Sequence, residues 1–142
     1  MKVVIASDHG GVNLKKTVAE YLSEKEIDFT DLGPDSTESV DYPDYAKPVA
    51  EKVASGEYDR GILICGTGIG MNITANKTKG IRCALVHDTF SAKATRSHND
   101  SNILAMGERV IGPGLALEVV DTWLNTEFEG GRHERRVCKI EE

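Results

Sequence analysis

The chain has 142 residues, 39% hydrophobic and 28% charged, with a formal net charge of -6 at pH 7. That length suits one compact domain, 1–142, and the composition excludes long disorder. The acidic balance excludes nucleic acid and anionic membranes as general partners, so any bound anion must be held by a local field.

In chain order, "KVVIAS" is a β-branched apolar run that stops at the turn-forming "DHGG", which predicts a buried first strand, Lys2 to Ser7. Leu14, Val18, Tyr21 and Leu22 then recur at helical spacing. "IDFTDL" alternates before Gly33 and Pro34 and predicts a second strand nearer an edge. "GPDSTESVDYPDY" is loop, and Ala46, Val49, Ala50, Val53 and Ala54 mark a second helix, with Pro48 expected in or near its first turn. "GILIC" is the clearest buried strand, and a helix is expected to start at "MNITANK". "IRCALVH" and "NILAM" predict the fourth and fifth strands, with a helix from Thr89 to about His98 between them. Ala116, Val119, Val120 and Trp123 give the inner stripe of a last long helix after Pro113-Gly114, and the tail begins with the basic run "RHERRV". Strands and helices alternate five times, so the prediction is an α/β fold with a five-stranded parallel sheet covered on both faces.

Cys65, Cys83 and Cys138 are an odd number without a C-x-x-C pair, which suggests neither a disulfide framework nor a zinc ribbon. The N-terminal apolar run is too short for a signal peptide and no later run approaches a membrane span. The expectation is a cytoplasmic protein with reduced thiols.

Ligands of open α/β sheets bind beyond the carboxyl ends of the strands. That rule selects Asp8-His9, Cys65 to Gly70, His87-Asp88 and the region from Gly107 to Arg109. In "CGTGIG", glycines at 66, 68 and 70 let the backbone bend and present N–H groups to an anion, and the same field would favour a thiolate at Cys65. A tight turn beside an inert cysteine explains the stretch equally well. Three familiar patterns fail here. The spacing is G-x-G-x-G rather than the dinucleotide G-x-G-x-x-G, there is no G-K-[ST], and Met71 stands where a C-x5-R phosphatase loop needs arginine. His9 is open between a phosphate or sugar ligand and an Asx-type turn. His98, in "RSHNDSN", reads by itself as solvated. Arg132 and Arg136 share a helical face and could grip a phosphate, although such runs are more often solvated surface, and Arg109 has the same ambiguity. Cys83 and Cys138 have no evident partner and are read as structural.

Taken together, "SDHGG", "DYPDYA", "ILICGTGIGMNITANK", "RSHNDSNILAMGERVIG" and "EGGRHERRV" closely resemble the ribose-5-phosphate isomerase B family, part of a wider sugar-phosphate isomerase group that includes galactose-6-phosphate isomerase. The match runs through essentially the whole chain. It implies a Rossmann-like three-layer αβα sandwich, a homodimer or dimer of dimers with active sites between subunits, and a reaction that uses neither cofactor nor metal. On this sequence, the resemblance makes Cys65 the base of a cis-enediolate mechanism and Gly66, Thr67, Gly68, Ile69 and Gly70 the cradle for its charge. His98 would assist ring opening, with Asp8 and Thr67 near the ring and Asn99 on substrate oxygens. His9, Arg132 and Arg136 would hold the phosphate, the two arginines in a phosphate-binding tail at about 130–142. Arg109 would contribute to phosphate binding across the dimer, and Tyr42 lies in a motif near the pocket without an assigned role. One branch of the family carries a glutamate base in the glycine loop, where Ile69 stands here. The competing readings are a hexose 6-phosphate isomerase, acting on allose or galactose 6-phosphate, and a non-catalytic sugar-phosphate-binding module.

Overall fold

A computed structural model describes all residues 1–142. The elements are β1 (Lys2–Ser7), α1 (Val12–Glu24), β2 (Asp28–Asp31), α2 (Pro43–Ala54), β3 (Arg60–Cys65), α3 (Ile69–Ala75), β4 (Cys83–Leu85), α4 (Thr89–Asn99), β5 (Ile103–Gly107), α5 (Pro113–Asn125) and α6 (Arg132–Glu141). The strands form one sheet in the order β2-β1-β3-β5-β4, every pair parallel.

Alternation along the strands feeds two cores. Val3, Ile5, Ile62, Ile64, Leu104 and Met106 pack with α1, α4 and α5, while Val4, Ala6, Leu63, Cys65 and Ile103 pack with α2 and α3. Strands buried on both faces read as continuous apolar runs, which is why β1, β3 and β5 are so plain in the sequence. Trp123 is fully buried on the first side, and its indole N–H donates to Ser101 Oγ at 2.9 Å.

Three boundaries differ from the sequence reading. Helix α2 opens at Pro43, so Pro48 lies well inside it rather than in its first turn. The burial of Ala46, Val49, Ala50 and Val53 holds the helix through the proline at the loss of one backbone hydrogen bond. Strand β4 keeps only Cys83–Leu85 because Ile81 and Val86, though buried, fall outside the pairing with β5. Helix α3 starts at Ile69, ahead of "MNITANK", since Gly68 takes the left-handed conformation (φ 79°) immediately before it.

Lysine 15 is almost fully buried, and its Nζ donates to Asp31 Oδ1 at 2.7 Å and to the Pro34 carbonyl at 2.8 Å. A buried ammonium needs such partners, and these tie α1 to the loop that leads toward the strand ends. No helix is long and apolar enough to cross a membrane.

Candidate active site

β1 and β3 are neighbours whose connections leave toward opposite sides of the sheet, so their carboxyl ends form the topological switch point. The Asp8 N–H donates to the Ile64 carbonyl at 3.1 Å, which draws the first loop onto the third strand. Asp8 Oδ1 accepts from Gly10 N at 2.8 Å in an Asx turn, and a side chain at Gly10 would come within 3.1 Å of Gly66 N. The Asx turn, one of the two open readings of this stretch, is therefore present, and it serves to seat Asp8 and His9 against the glycine loop.

The Cys65 side chain is 5% exposed at the floor of that loop, and its Sγ accepts from Gly68 N at 3.0 Å. Thr67 Oγ1 accepts from Ile69 N at 3.2 Å, while the N–H groups of Gly66, Thr67 and Gly70 donate to no acceptor within the chain. A glycine is required at Gly68, where φ is 79° and a Cβ would meet Leu85 Cδ1 at 2.6 Å and the Met106 carbonyl carbon at 2.7 Å. It is equally required at Gly107, where a Cβ would come within 2.6 Å of the Thr67 backbone. The loop is thus wedged against the end of β5, with Arg109 N donating to the Gly66 carbonyl at 3.1 Å.

Three side chains border the loop. Arg109 Nη1 lies 3.4 Å from the Cβ position of Gly66, so this exposed guanidinium stands over the glycine loop of its own chain. Val40 N donates to His9 Nδ1 at 3.1 Å, which leaves a neutral His9 carrying its proton on Nε2. The ring of Tyr42 lies on Gly70, within 2.8 Å of its Cβ position. The loop before α2 therefore reaches from His9 to Gly70. Beyond β4, His87 Nε2 accepts from Gly107 N at 2.9 Å, and burial holds its imidazole below the ordinary histidine range.

The remaining predicted site residues are elsewhere. α4 runs back along the sheet, so His98 and Asn99 lie where the strands begin: Arg82 Nε donates to the Asn99 carbonyl at 3.1 Å, and Asn102 N to the Arg82 carbonyl at 3.0 Å. The length of β5, about 13 Å at 3.3 Å per residue, separates that end from Gly107 and the Cys65 loop. Helix α6 packs on α4 at this far end, with Arg132 and Arg136 exposed and Arg82 paired to Glu141. Exposed His98 stacks on buried His133, ring centroids 4.3 Å apart and planes inclined by 14°. Burial, with the nearby His98 and Arg132, pushes the His133 imidazole below its usual range. One chain thus brings together Asp8, His9, Gly66, Thr67, Gly68, Ile69, Gly70, Cys65 and Arg109, but not His98, Asn99, Arg132 or Arg136.

The strand-end rule marks His87, but nothing in the sequence reading gave a role to His133, Glu129 or Lys15. For His133 a signal existed: it and Val137 are the two uncharged residues of the run "RHERRV" and stand four apart, the spacing of one helical face, which α6 buries. For Lys15 there was none, because its partners are remote in sequence.

A parallel sheet of this order, with a cysteine under a loop of free amides at its switch point, defines an α/β protein whose ligand site lies beyond the carboxyl ends of the strands. The comparisons give that class a family. The Ribose/Galactose Isomerase model matches residues 3–140, and the chain belongs to that family. It is 70% identical to a Bacillus subtilis protein whose name places it among sugar phosphate isomerases, over 99% of this chain and 95% of the relative. Ribose-5-phosphate isomerase B of Clostridium thermocellum superposes with a TM-score of 0.98 at 56% identity, covering 99% of this chain and 95% of that one. The Mycoplasma genitalium enzyme of the same name, with bound ribulose 5-phosphate, gives 0.95 at 44% identity over 99% and 93%.

Proposed function

We propose that this chain interconverts ribose 5-phosphate and ribulose 5-phosphate in the cytoplasm, without a cofactor, and that two copies combine to make each active site. The observation that carries the reading is the Cys65 sulphur lying under a loop whose Gly66, Thr67 and Gly70 amides have no acceptor. The relatives named as ribose-5-phosphate isomerase B, one holding ribulose 5-phosphate, support the substrate.

In the aldose-to-ketose direction, His98 assists opening of the furanose by moving the ring-oxygen and anomeric-hydroxyl protons. Cys65 then takes the proton from C2 as a thiolate, and the electron pair forms the C1–C2 double bond of the enediolate. The free amides hold the oxygen on which charge develops, an arrangement that acts without reorganisation at the moment of reaction. A proton passes from O2 to O1 of the enediolate, the same thiol then returns a proton to C1 as the electron pair on O2 forms the C2 carbonyl, and the thiolate is regenerated. His9 Nε2–H, Arg109, Arg132 and Arg136 bind the phosphate, and that remote grip positions the reacting carbons. Asp8 and Asn99 bind sugar hydroxyls.

Because His98, Asn99, Arg132 and Arg136 lie at the far end of their own sheet, a second copy must bring them to the Cys65 loop. Charge favours that docking: α6 offers Arg132, Arg135 and Arg136, while the loop before α2 carries Asp35, Glu38 and Asp41, all of them exposed.

The test is turnover of ribose 5-phosphate, allose 6-phosphate and galactose 6-phosphate side by side, with Cys65→Ala as control. Ribose 5-phosphate is expected to react, and C65A to lose about 10²–10⁴-fold in kcat, the range of a general base, while still binding phosphate ligands. Parent-rate turnover by C65A would remove Cys65 from the mechanism.

A further inference from the structure

His98, Glu129 and His133 hold three ligand atoms of metal-binding type within 4.8 Å of one another. Their backbone is fixed: His98 is in the last turn of α4, Glu129 N donates to the Ser97 carbonyl at 3.1 Å, and His133 N donates to the Gly130 carbonyl at 3.1 Å. His133 Nε2 stands 3.5 Å from Glu129 Oε2. An N–H···O hydrogen bond is shorter, about 2.7–3.2 Å. The spacing fits the edge of a tetrahedron instead, since two donors bound to one Zn²⁺ at about 2.0–2.1 Å lie roughly 3.4 Å apart. His98 is exposed, so rotation about its side-chain bonds can close the remaining gap. A surface cavity of about 270 Å³, lined by Phe90, Lys93, Ser97, His98 and Glu129 among others, gives access to the cluster.

We propose that His98, Glu129 and His133 form a site for Zn²⁺ or a chemically similar divalent ion, with the fourth position left to water, and that the bound ion inhibits the isomerase by occupying His98. Two imidazoles and a carboxylate with an open position form a familiar donor set for this ion. Lys93 and the α6 arginines oppose a cation here, which makes the ion a reversible inhibitor and not a part of the fold. The inhibition rests on the ring-opening role proposed for His98, whereas the binding does not.

The experiment titrates Zn²⁺ against a chromophoric chelator in the wild-type protein, E129Q, H133Q and C65A, and repeats the binding with Co²⁺. Wild type and C65A are expected to take one ion per chain, the Co²⁺ form absorbing in the visible as a tetrahedral N/O site without a thiolate band. E129Q and H133Q should bind at least about 10-fold more weakly, since even an outer partner of a metal ligand is worth that much. Glu129 is largely exposed, so E129Q is expected to fold. It should isomerise ribose 5-phosphate at the wild-type rate and escape inhibition by Zn²⁺, while wild type is inhibited and recovers with EDTA. Equal Zn²⁺ affinity in wild type and E129Q, or loss of binding in C65A, would overturn the site. Zn²⁺ binding at His98, Glu129 and His133 without inhibition would overturn the regulatory half alone.

Discussion

At the carboxyl ends of the strands the chemistry-bearing groups are mostly backbone amides fixed by neighbouring turns, whereas at the opposite end they are long side chains on α4 and α6. The first set is ordered before any ligand arrives: Gly68 and Gly107 leave no room for a Cβ, and Gly66 is hydrogen-bonded to Arg109 N. The second set is exposed, and Arg132 and Arg136 have no ion-pair partner within the chain. Arginine side chains carry about 2 kcal/mol of rotamer entropy, which a phosphate bound as proposed would have to offset. Under the proposed function, this contrast becomes a division of labour: the rigid end would stabilise the transition state and the mobile end would capture the substrate of another copy.

The sharpest way to break that division is complementation. C65A and H98Q, each nearly inactive alone, should regain readily measurable isomerase activity when subunits are exchanged between them, because one of the two sites in a mixed pair then has both groups. No recovery after verified exchange would mean that each site uses only its own chain.

Substitution at the rigid end comes next. Gly107→Ala places a Cβ 2.6 Å from the Thr67 backbone and must displace the loop. A shift of about 1 Å in a catalytic group can cost roughly 100-fold, so kcat should fall by that order while KM changes little. Overpacking of this kind also destabilises by about 1–3 kcal/mol, visible as a lower Tm. A G107A protein with normal kcat would show that the amide cradle is not the transition-state site.

At the mobile end the effect should appear in KM. Arg136→Ala removes a charge-assisted contact worth about 1.5–3 kcal/mol, so KM for ribose 5-phosphate should rise about 10- to 100-fold with kcat less affected. An unchanged KM returns Arg136 to the solvent-exposed surface.

The smallest effect concerns His87, which supports the cradle by accepting from Gly107 N. Its folded-state pKa is lowered, so the unfolded chain binds the proton first. The stability it contributes is complete above the ordinary histidine pKa and is lost as pH falls through that value toward the folded one. Thermal melts of wild type should therefore decline from pH 7 to pH 5, and H87Q should flatten part of that slope without abolishing it, since His133 is shifted the same way. Identical slopes would remove His87 from the account.

Much of this architecture was legible because strands buried on both faces leave uninterrupted apolar runs, as "KVVIAS", "GILIC" and "NILAM" do. Short or edge elements were less so. The apolar run around β4 continues at both ends into buried residues outside the strand's register, and Pro48 disguised the true start of α2 because its neighbours' burial outweighs its local preference. Within the site, the glycine loop was visible as a pattern that fits an inert turn as well as a reactive cysteine, whereas the donation of Gly68 N to Cys65 Sγ beside three free amides is a contact no local pattern encodes.

By itself the sequence determined the alternation of elements, the parallel sheet and the residue types of a sugar-phosphate isomerase, since hydrophobic period and turn chemistry are local properties. Only the tertiary structure decided which of those residues meet. Direction along the sheet is a property of the whole crossover, and it sends the Cys65 loop to one end and His98 with the arginines of α6 to the other. The same packing joined His98 to Glu129 and His133, a contact between α4 and the start of α6 that no local pattern encodes.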